Sequence, residues 1–72
     1  MTAETMSLGE ALPLEVARVG DKVLPVYVAV GPPGAFAVAM IRADLDAASR
    51  AMIAGDRIEM IRLYQVLKET HT

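Results

Sequence analysis

A chain of 72 residues is long enough for one small domain, and a domain of this size buries only about 60% of its unfolded surface. It has no cysteine and a single histidine, which excludes a disulfide framework and a Cys/His metal site. The net charge of −2, with no basic run, argues against general nucleic-acid binding, whereas 54% hydrophobic residues indicate a need for self-association, a partner or a membrane.

The first predicted element begins after residues 1–6, which are expected to be flexible. Ser7 is followed three residues later by Glu10, the spacing of a capping box, so a helix is expected to begin at Leu8. Proline removes a backbone donor inside a helix, and Pro13 therefore predicts a break or a very short first turn.

The N-terminal segment, residues 7–30, is open to two interpretations from Leu14 onwards. A valine stripe at helical spacing favours a helix that Pro25 would kink. That stripe consists of Val16, Val19, Val23, Val26 and Val30. The high valine content on either side of Gly20-Asp21 favours a β-hairpin instead, with Pro25 on an edge strand. The residues alone leave both interpretations open.

A long uncharged stretch lies between Lys22 and Arg42, and it raises the question of a membrane span. Gly31-Pro32-Pro33-Gly34 interrupts it at the middle, where two prolines would leave carbonyls without partners in hydrocarbon. We therefore expect two soluble segments that meet at a turn, and membrane association is not the favoured interpretation.

The clearest helix is predicted over residues 33–54. Its apolar face is expected to contain Phe36 or Ala37, Met40 or Ile41, and then Leu45, Ala48 and Met52. Asp46 lies four residues from both Arg42 and Arg50, which predicts an ion pair with each of them.

A second helix is predicted over residues 57–69. Gly55 suits the left-handed position that ends the preceding helix, and Asp56 with Glu59 forms the spacing of a second capping box. The apolar residues of this helix lie on more than one side. The preceding helix covers one of these sides, so the N-terminal segment or a second subunit must cover the other. They are Ile58, Met60, Ile61, Leu63, Tyr64, Val66 and Leu67. Residues 70–72 are expected to form a loose tail.

No catalytic, cofactor or metal site is predicted. Asp44 and Asp46 diverge on a helix, Ser49 lacks a nucleophile motif, and His71 lies at the end of the chain without a partner. The chain is therefore predicted not to be an enzyme.

Two sets of residues are candidates for binding. A helix start could present free amides to a small anionic nucleotide, with an aromatic ring to stack on the base, although a plain turn is the simpler interpretation. This ligand-binding set is Tyr27, Gly34, Ala35, Phe36 and Arg42. Methionine and arginine are common at adaptable interfaces. The set for an oligomer or partner interface is Met52, Ile58, Met60, Ile61, Arg62 and Tyr64.

A longer pattern resembles small uncharacterised proteins of phages and prophages. It consists of Leu24-Pro25 and Tyr27, the run Gly31-Pro32-Pro33-Gly34-Ala35-Phe36-Ala37, then Ile41, Asp44-Leu45, Ala48, Gly55-Asp56, Met60-Ile61, Tyr64 and Leu67-Lys68. The resemblance covers about two-thirds of the chain and contains no motif of known chemistry. It implies an accessory protein that binds a host factor or a defence signal, and it favours the helical interpretation of residues 14–30.

We therefore expect a mainly α fold, with a short helical hairpin and an N-terminal helix, that forms a dimer or a higher homo-oligomer. The alternative fold is an N-terminal β-hairpin followed by two helices. The expected function is a non-enzymatic inhibitor of a host protein, of phage or mobile-element type, in the cytoplasm of a bacterial host. The alternatives are an oligomeric sponge for an anionic nucleotide signal, or a small membrane-active or assembly protein.

Overall fold

The computed structural model describes residues 7–72, and 89% of these residues are helical, with no strand in this range. The elements are α1 (Leu8–Arg18), a π-helical segment (Val19–Val23), α2 (Leu24–Val30), a 3-10 turn (Pro32–Gly34), α3 (Ala35–Ala54) and α4 (Arg57–Glu69). The mainly α prediction is thus confirmed, and the alternative of an N-terminal β-hairpin is wrong. The expected flexibility of residues 1–6 lies outside the described residues.

The predicted start of α1 is confirmed at the atomic level. Ser7 precedes the helix in an extended conformation, and its Oγ accepts a hydrogen bond from the Glu10 N–H at 3.3 Å. The predicted break at Pro13 is wrong, because the helix continues to Arg18. The N–H that Pro13 lacks would have paired with the carbonyl of Gly9, and Gly9 is exposed, so water can satisfy that carbonyl instead.

A π-helical segment joins α1 to α2. The Leu24 N–H donates to the carbonyl of Val19, five residues back. This turn therefore contains one residue more than a turn of α-helix. This change of register explains why the predicted valine stripe is buried at Val19 and Val23 but exposed at Val26 and Val30. The prediction for the last two valines was wrong because it assumed an uninterrupted helical period.

The hairpin between α3 and α4 closes through backbone hydrogen bonds. Gly55 adopts φ 67°, the Asp56 N–H donates to the Ala51 carbonyl at 3.0 Å, and the Gly55 N–H donates to the Met52 carbonyl at 3.3 Å. The Asp56 carboxylate then accepts from the Glu59 N–H at 3.2 Å. Glu59 pairs with Arg62 and does not return to the Asp56 N–H, so only half of the predicted capping box forms.

The core lies where α1, α3 and α4 meet. The fully or nearly fully buried apolar residues are Leu12, Val19, Val23, Ile41, Ala48, Ala51, Leu63 and Leu67. Helix α4 packs against both α3 and α1, so the N-terminal segment supplies the second cover that α4 was predicted to need. Among the described residues, no buried side-chain nitrogen or oxygen lacks a hydrogen-bond partner.

The first turns of α3 extend past α4. The 20 residues of α3 span about 30 Å, whereas the 13 residues of α4 span about 20 Å. On the predicted apolar face of α3, Ile41 is buried and Ala37 is half-buried, whereas the alternatives Phe36 and Met40 lie on another side of the helix and are exposed. Ala48 on that face is buried, and Leu45 and Met52 are half-buried.

Candidate functional site

The tip of the α2–α3 hairpin, residues 24–41, holds most of the predicted ligand-binding residues. Gly31 closes α2 with φ 83°, and Gly34 is buried beneath the Tyr27 carbonyl. A Cβ at Gly34 would lie 2.4 Å from that carbonyl oxygen, so only glycine fits where the two segments meet. This close approach positions the beginning of α3 against α2.

The amides of Gly34 and Ala35 do not point freely towards solvent. The Gly34 N–H donates to the Gly31 carbonyl at 2.8 Å, and the Ala35 N–H donates to the Pro32 carbonyl within the 3-10 turn. Two of the amides that were expected to face an anion are therefore already paired.

An open groove of about 500 Å³ lies on one side of the tip. Its walls are apolar apart from one cation. The lining residues are Val28, Gly31, Pro32, Ala35, Val38, Ala39 and Arg42. Ala35 and Arg42 thus share a surface, whereas Phe36 is 78% exposed and does not line the groove. One copy of the chain does not bring the five predicted ligand residues together, and nucleotide binding stays a prediction.

Arg18 forms a link between α1 and the end of α4 that the sequence analysis did not identify. Its guanidinium donates to the carbonyls of Leu67 at 2.7 Å and Thr70 at 3.0 Å, and it pairs with Glu15 at 3.1 Å. The carbonyls at a helix C-terminus lack intrahelical partners and attract cations. The sequence indicates this link only through the position of Arg18, which lies on the apolar side of α1 three residues after Glu15.

The C-terminal tail is also held by α2. The Tyr27 hydroxyl donates to the His71 carbonyl at 3.2 Å, and Thr70 Oγ1 donates to the Val66 carbonyl at 2.8 Å. Residues on two other helices thus contact the backbone of the tail, whose expected looseness stays a prediction. The hydroxyl of Tyr27 makes the contact with His71, and the ring of Tyr27 packs against the core.

We expect Arg18→Met to lower the free energy of unfolding by about 1–2 kcal/mol, since it removes two charge-assisted hydrogen bonds to half-buried carbonyls. Arg18→Lys should recover part of this loss, because it keeps the charge without the planar fork. Urea denaturation at fixed protein concentration measures both. Arg50→Met is the matched control, since Arg50 pairs only with Asp46 on an exposed surface. Equal losses for Arg18→Met and Arg50→Met would contradict the role given to Arg18.

The predicted interface residues of α3 and α4 divide between two surfaces. Met52, Met60 and Tyr64 pack against the core and are half-buried. Ile58 is 81% exposed, Ile61 is 52% exposed, and Arg62 is exposed beside them. We define the outer face of α4 as Ile58, Ile61, Arg62 and Gln65, all of which are exposed on the side that faces away from the core.

Charged groups surround this outer face. Arg62 donates to both carboxylate oxygens of Glu59, at 2.7 and 2.9 Å, and these hydrogen bonds lower the pKa of Glu59 from its ordinary value. The same contact raises the pKa of Arg62. Arg57 and Lys68 are exposed on the other flank of the isoleucines. The face therefore combines an apolar centre with charges of both signs around it, and the cations Arg57 and Lys68 share one flank.

Asp46 forms one of its two predicted ion pairs. Asp46 is paired with Arg50, which lies one turn further along α3, and the predicted pair of Asp46 with Arg42 does not form. No cluster of three or more His, Cys, Asp or Glu residues occurs between Ser7 and Thr72. Within the same range, no helix is both long enough and apolar enough to cross a membrane.

Comparisons with protein-family models, with curated proteins and with solved structures find no match to this chain.

Proposed function

We propose that the chain is a non-enzymatic binding protein that covers part of the surface of another protein and inhibits it, in the manner of phage- or mobile-element-type accessory proteins. The proposed setting is the cytoplasm of a bacterial host. The observation that supports this is the outer face of α4, where Ile58 and Ile61 remain exposed although both neighbouring helices already pack against α4.

The chemistry of the outer face indicates the kind of partner. Two exposed isoleucines one turn apart suit an apolar pocket or groove, as in the docking of an amphipathic helix. Arg57 and Lys68 lie on one flank and would favour acidic residues on that side of the pocket, whereas Arg62 is already paired with Glu59. A cleft of about 270 Å³ beside the α3–α4 turn, lined partly by Arg50, Asp56 and Glu59, adds a polar edge to this end of the molecule.

Self-association is part of the same proposal. Large apolar side chains are exposed at the hairpin tip as well as on α4, and these two surfaces lie on different elements. A homo-oligomer that covers the tip would leave the outer face of α4 free for another protein. The oligomer then supplies stability that a domain of this size gains only in small measure from its own core.

A tag-swapped pulldown from the natural host tests the proposal. We expect one host protein to co-purify in a fixed ratio with either tag, and the Ile58→Asp/Ile61→Asp variant to lose it while remaining helical by circular dichroism. The purified pair should also form a complex in size-exclusion chromatography. Truncation of central interface residues commonly weakens binding by about 30-fold or more.

The matched control is Leu14→Asp, because Leu14 is 56% exposed on α1 and belongs to neither surface. This variant should retain the partner. Recovery of the tagged protein alone, from lysates of the natural host and with either tag, would contradict the proposal. Loss of the partner in Leu14→Asp to the same degree as in the α4 variant would also contradict it, since the binding would then not depend on the outer face of α4.

A further inference from the structure

The hairpin tip has an apolar surface on each of two sides. On one side, Val28 and the α3 residues Val38 and Ala39 line the groove described above. On the other side, Phe36 and Met40 are exposed. Successive residues of an α-helix are about 100° apart, so Phe36 lies roughly 110° around α3 from the mean direction of the groove residues. An exposed aromatic ring and an apolar groove therefore occupy different faces of one tip.

The backbone N–H groups of the turn at the tip already have hydrogen-bond partners within the chain. The Gly31 N–H donates to the Val28 carbonyl at 3.1 Å, and the N–H groups of Gly34 and Ala35 donate within the 3-10 turn. Pro32 and Pro33 have no N–H. From Gly31 to Ala35, no backbone donor would lose a water partner if another apolar surface covered the turn, which removes one cost of such contact. No charged side chain lies between Val23 and Ile41 to oppose it.

Arg42 gives the groove a cation that is able to contact an aromatic ring. It lines the groove and forms no ion pair with any residue of the described range 7–72. An arginine without a carboxylate partner, placed at the edge of an apolar groove, can stack on the face of a phenylalanine ring. The groove is also large enough for several side chains, because it approaches the size of small-molecule sites.

We propose that Phe36 of one copy of this chain inserts into the Val28–Arg42 groove of a second copy. Because ring and groove lie on different faces, one contact uses the ring of one copy and the groove of the other. Such a head-to-tail contact forms a closed ring if the rotation closes, and an open chain otherwise. The inference deepens the self-association within the proposed function, but it does not depend on the binding of a host protein.

Two variants of the purified protein test the contact, with light scattering after size-exclusion chromatography. Phe36→Asp removes the ring, and Ala39→Lys fills the groove with a second cation beside Arg42. We expect wild type to associate, and each variant alone to associate at least about 30-fold more weakly. An equimolar mixture should form a 1:1 pair, because Ala39→Lys still carries Phe36 and Phe36→Asp still has an open groove. Leu14→Asp is the matched control and should associate as wild type does.

Three results would overturn the inference. Wild type could remain a single copy at high micromolar concentration, Phe36→Asp could associate as strongly as wild type, or the mixture could show no pairing. A further measurement tests whether the protein binds to vesicles of phosphatidylcholine and phosphatidylglycerol. Binding to these vesicles through Phe36, by a chain that stays monomeric without them, would assign the tip to a lipid surface and also overturn the inference.

A photo-crosslink provides a test that keeps an aromatic side chain at position 36 and leaves the groove unchanged. A benzoyl-phenylalanine in place of Phe36 should crosslink two copies, and mass spectrometry should find the attachment within residues 28–42 of the other copy. Attachment elsewhere would overturn the inference. These experiments use the pure protein alone, so their failure is distinguishable from a failure of the host pulldown.

Discussion

Gly34→Ala is expected to remove most of the free energy of unfolding of the protein. The added Cβ would lie 2.4 Å from the backbone carbonyl oxygen of Tyr27, and neither segment can move away without breaking the α2–α3 contact. Overpacking of this kind costs about 2–4 kcal/mol. A core of this size contributes only about 3–5 kcal/mol of stability. Far-UV circular dichroism during thermal unfolding, at one protein concentration for all variants, measures the loss.

The matched control is the same substitution at Gly9. Gly9 lies in the first turns of α1, and an added Cβ there meets only the Ser7 Oγ at 3.9 Å. Alanine favours the helix over glycine by about 0.5–1 kcal/mol, so Gly9→Ala should stabilise the protein slightly. A melting temperature for Gly34→Ala at or above that of Gly9→Ala would show that α2 and α3 do not approach as closely as described.

Leu63→Ala is expected to have a comparably large effect. Leu63 is fully buried on the side of α4 that faces the core, and it belongs to the apolar cluster shared with α1 and α3. Removal of a buried leucine side chain costs about 2–5 kcal/mol, since it loses the transfer free energy and leaves a cavity. Urea denaturation should therefore show a protein that is largely unfolded without denaturant, or close to it.

Ile61→Ala serves as the control on the same helix. Ile61 lies only two residues from Leu63 but points away from the core, and about half of its side chain remains exposed. The same change to alanine should alter the unfolding free energy by less than about 1 kcal/mol, partly because alanine favours the helix. Comparable losses for Leu63→Ala and Ile61→Ala would contradict the orientation of α4.

The helix ends were the most predictable features of the fold, because they depend on single residues with strong conformational preferences. Ser7 and Asp56 begin helices with their side chains, and Gly55 ends α3 with a positive φ. Gly31 likewise ends α2 with a positive φ. These effects act within a few residues, so the sequence contains all the information that they require.

The N-terminal segment was harder to predict because its local preferences conflict with its surroundings. Valines between Leu14 and Val30 favour strands, yet Val19 and Val23 are buried in a helix against α3 and α4. The π-helical segment changes the register between them and Val26. A pattern based on a constant helical period does not include such a change, and the expected stripe therefore extended too far.

The contacts that hold the chain end were also beyond sequence reasoning. Arg18 and Leu67 are separated by 49 positions, and Tyr27 and His71 by 44. Nothing in the local sequence of either residue specifies its distant partner. The same limit applies to the candidate binding surfaces, since the sequence left open whether Phe36 or Ala37 lies on the apolar face of α3, and the structure half-buries Ala37 and exposes Phe36.

The exposed apolar surfaces lead to one physical conclusion. The core is built from valine, leucine, isoleucine and alanine where three helices meet, and the described residues bury no unpaired polar side-chain atom. Large apolar side chains nevertheless remain exposed at the hairpin tip and on α4. Exposed apolar surface of this kind marks sites of association in soluble proteins.

Sedimentation velocity of the untagged protein, from low to high micromolar concentration, tests this conclusion most directly. We expect the weight-average sedimentation coefficient to rise with concentration and the fitted mass to exceed that of one 7.7 kDa chain. A single compact copy over the whole range, fully helical and without a bound partner, would contradict the account, because its exposed apolar surfaces would then be stable in water.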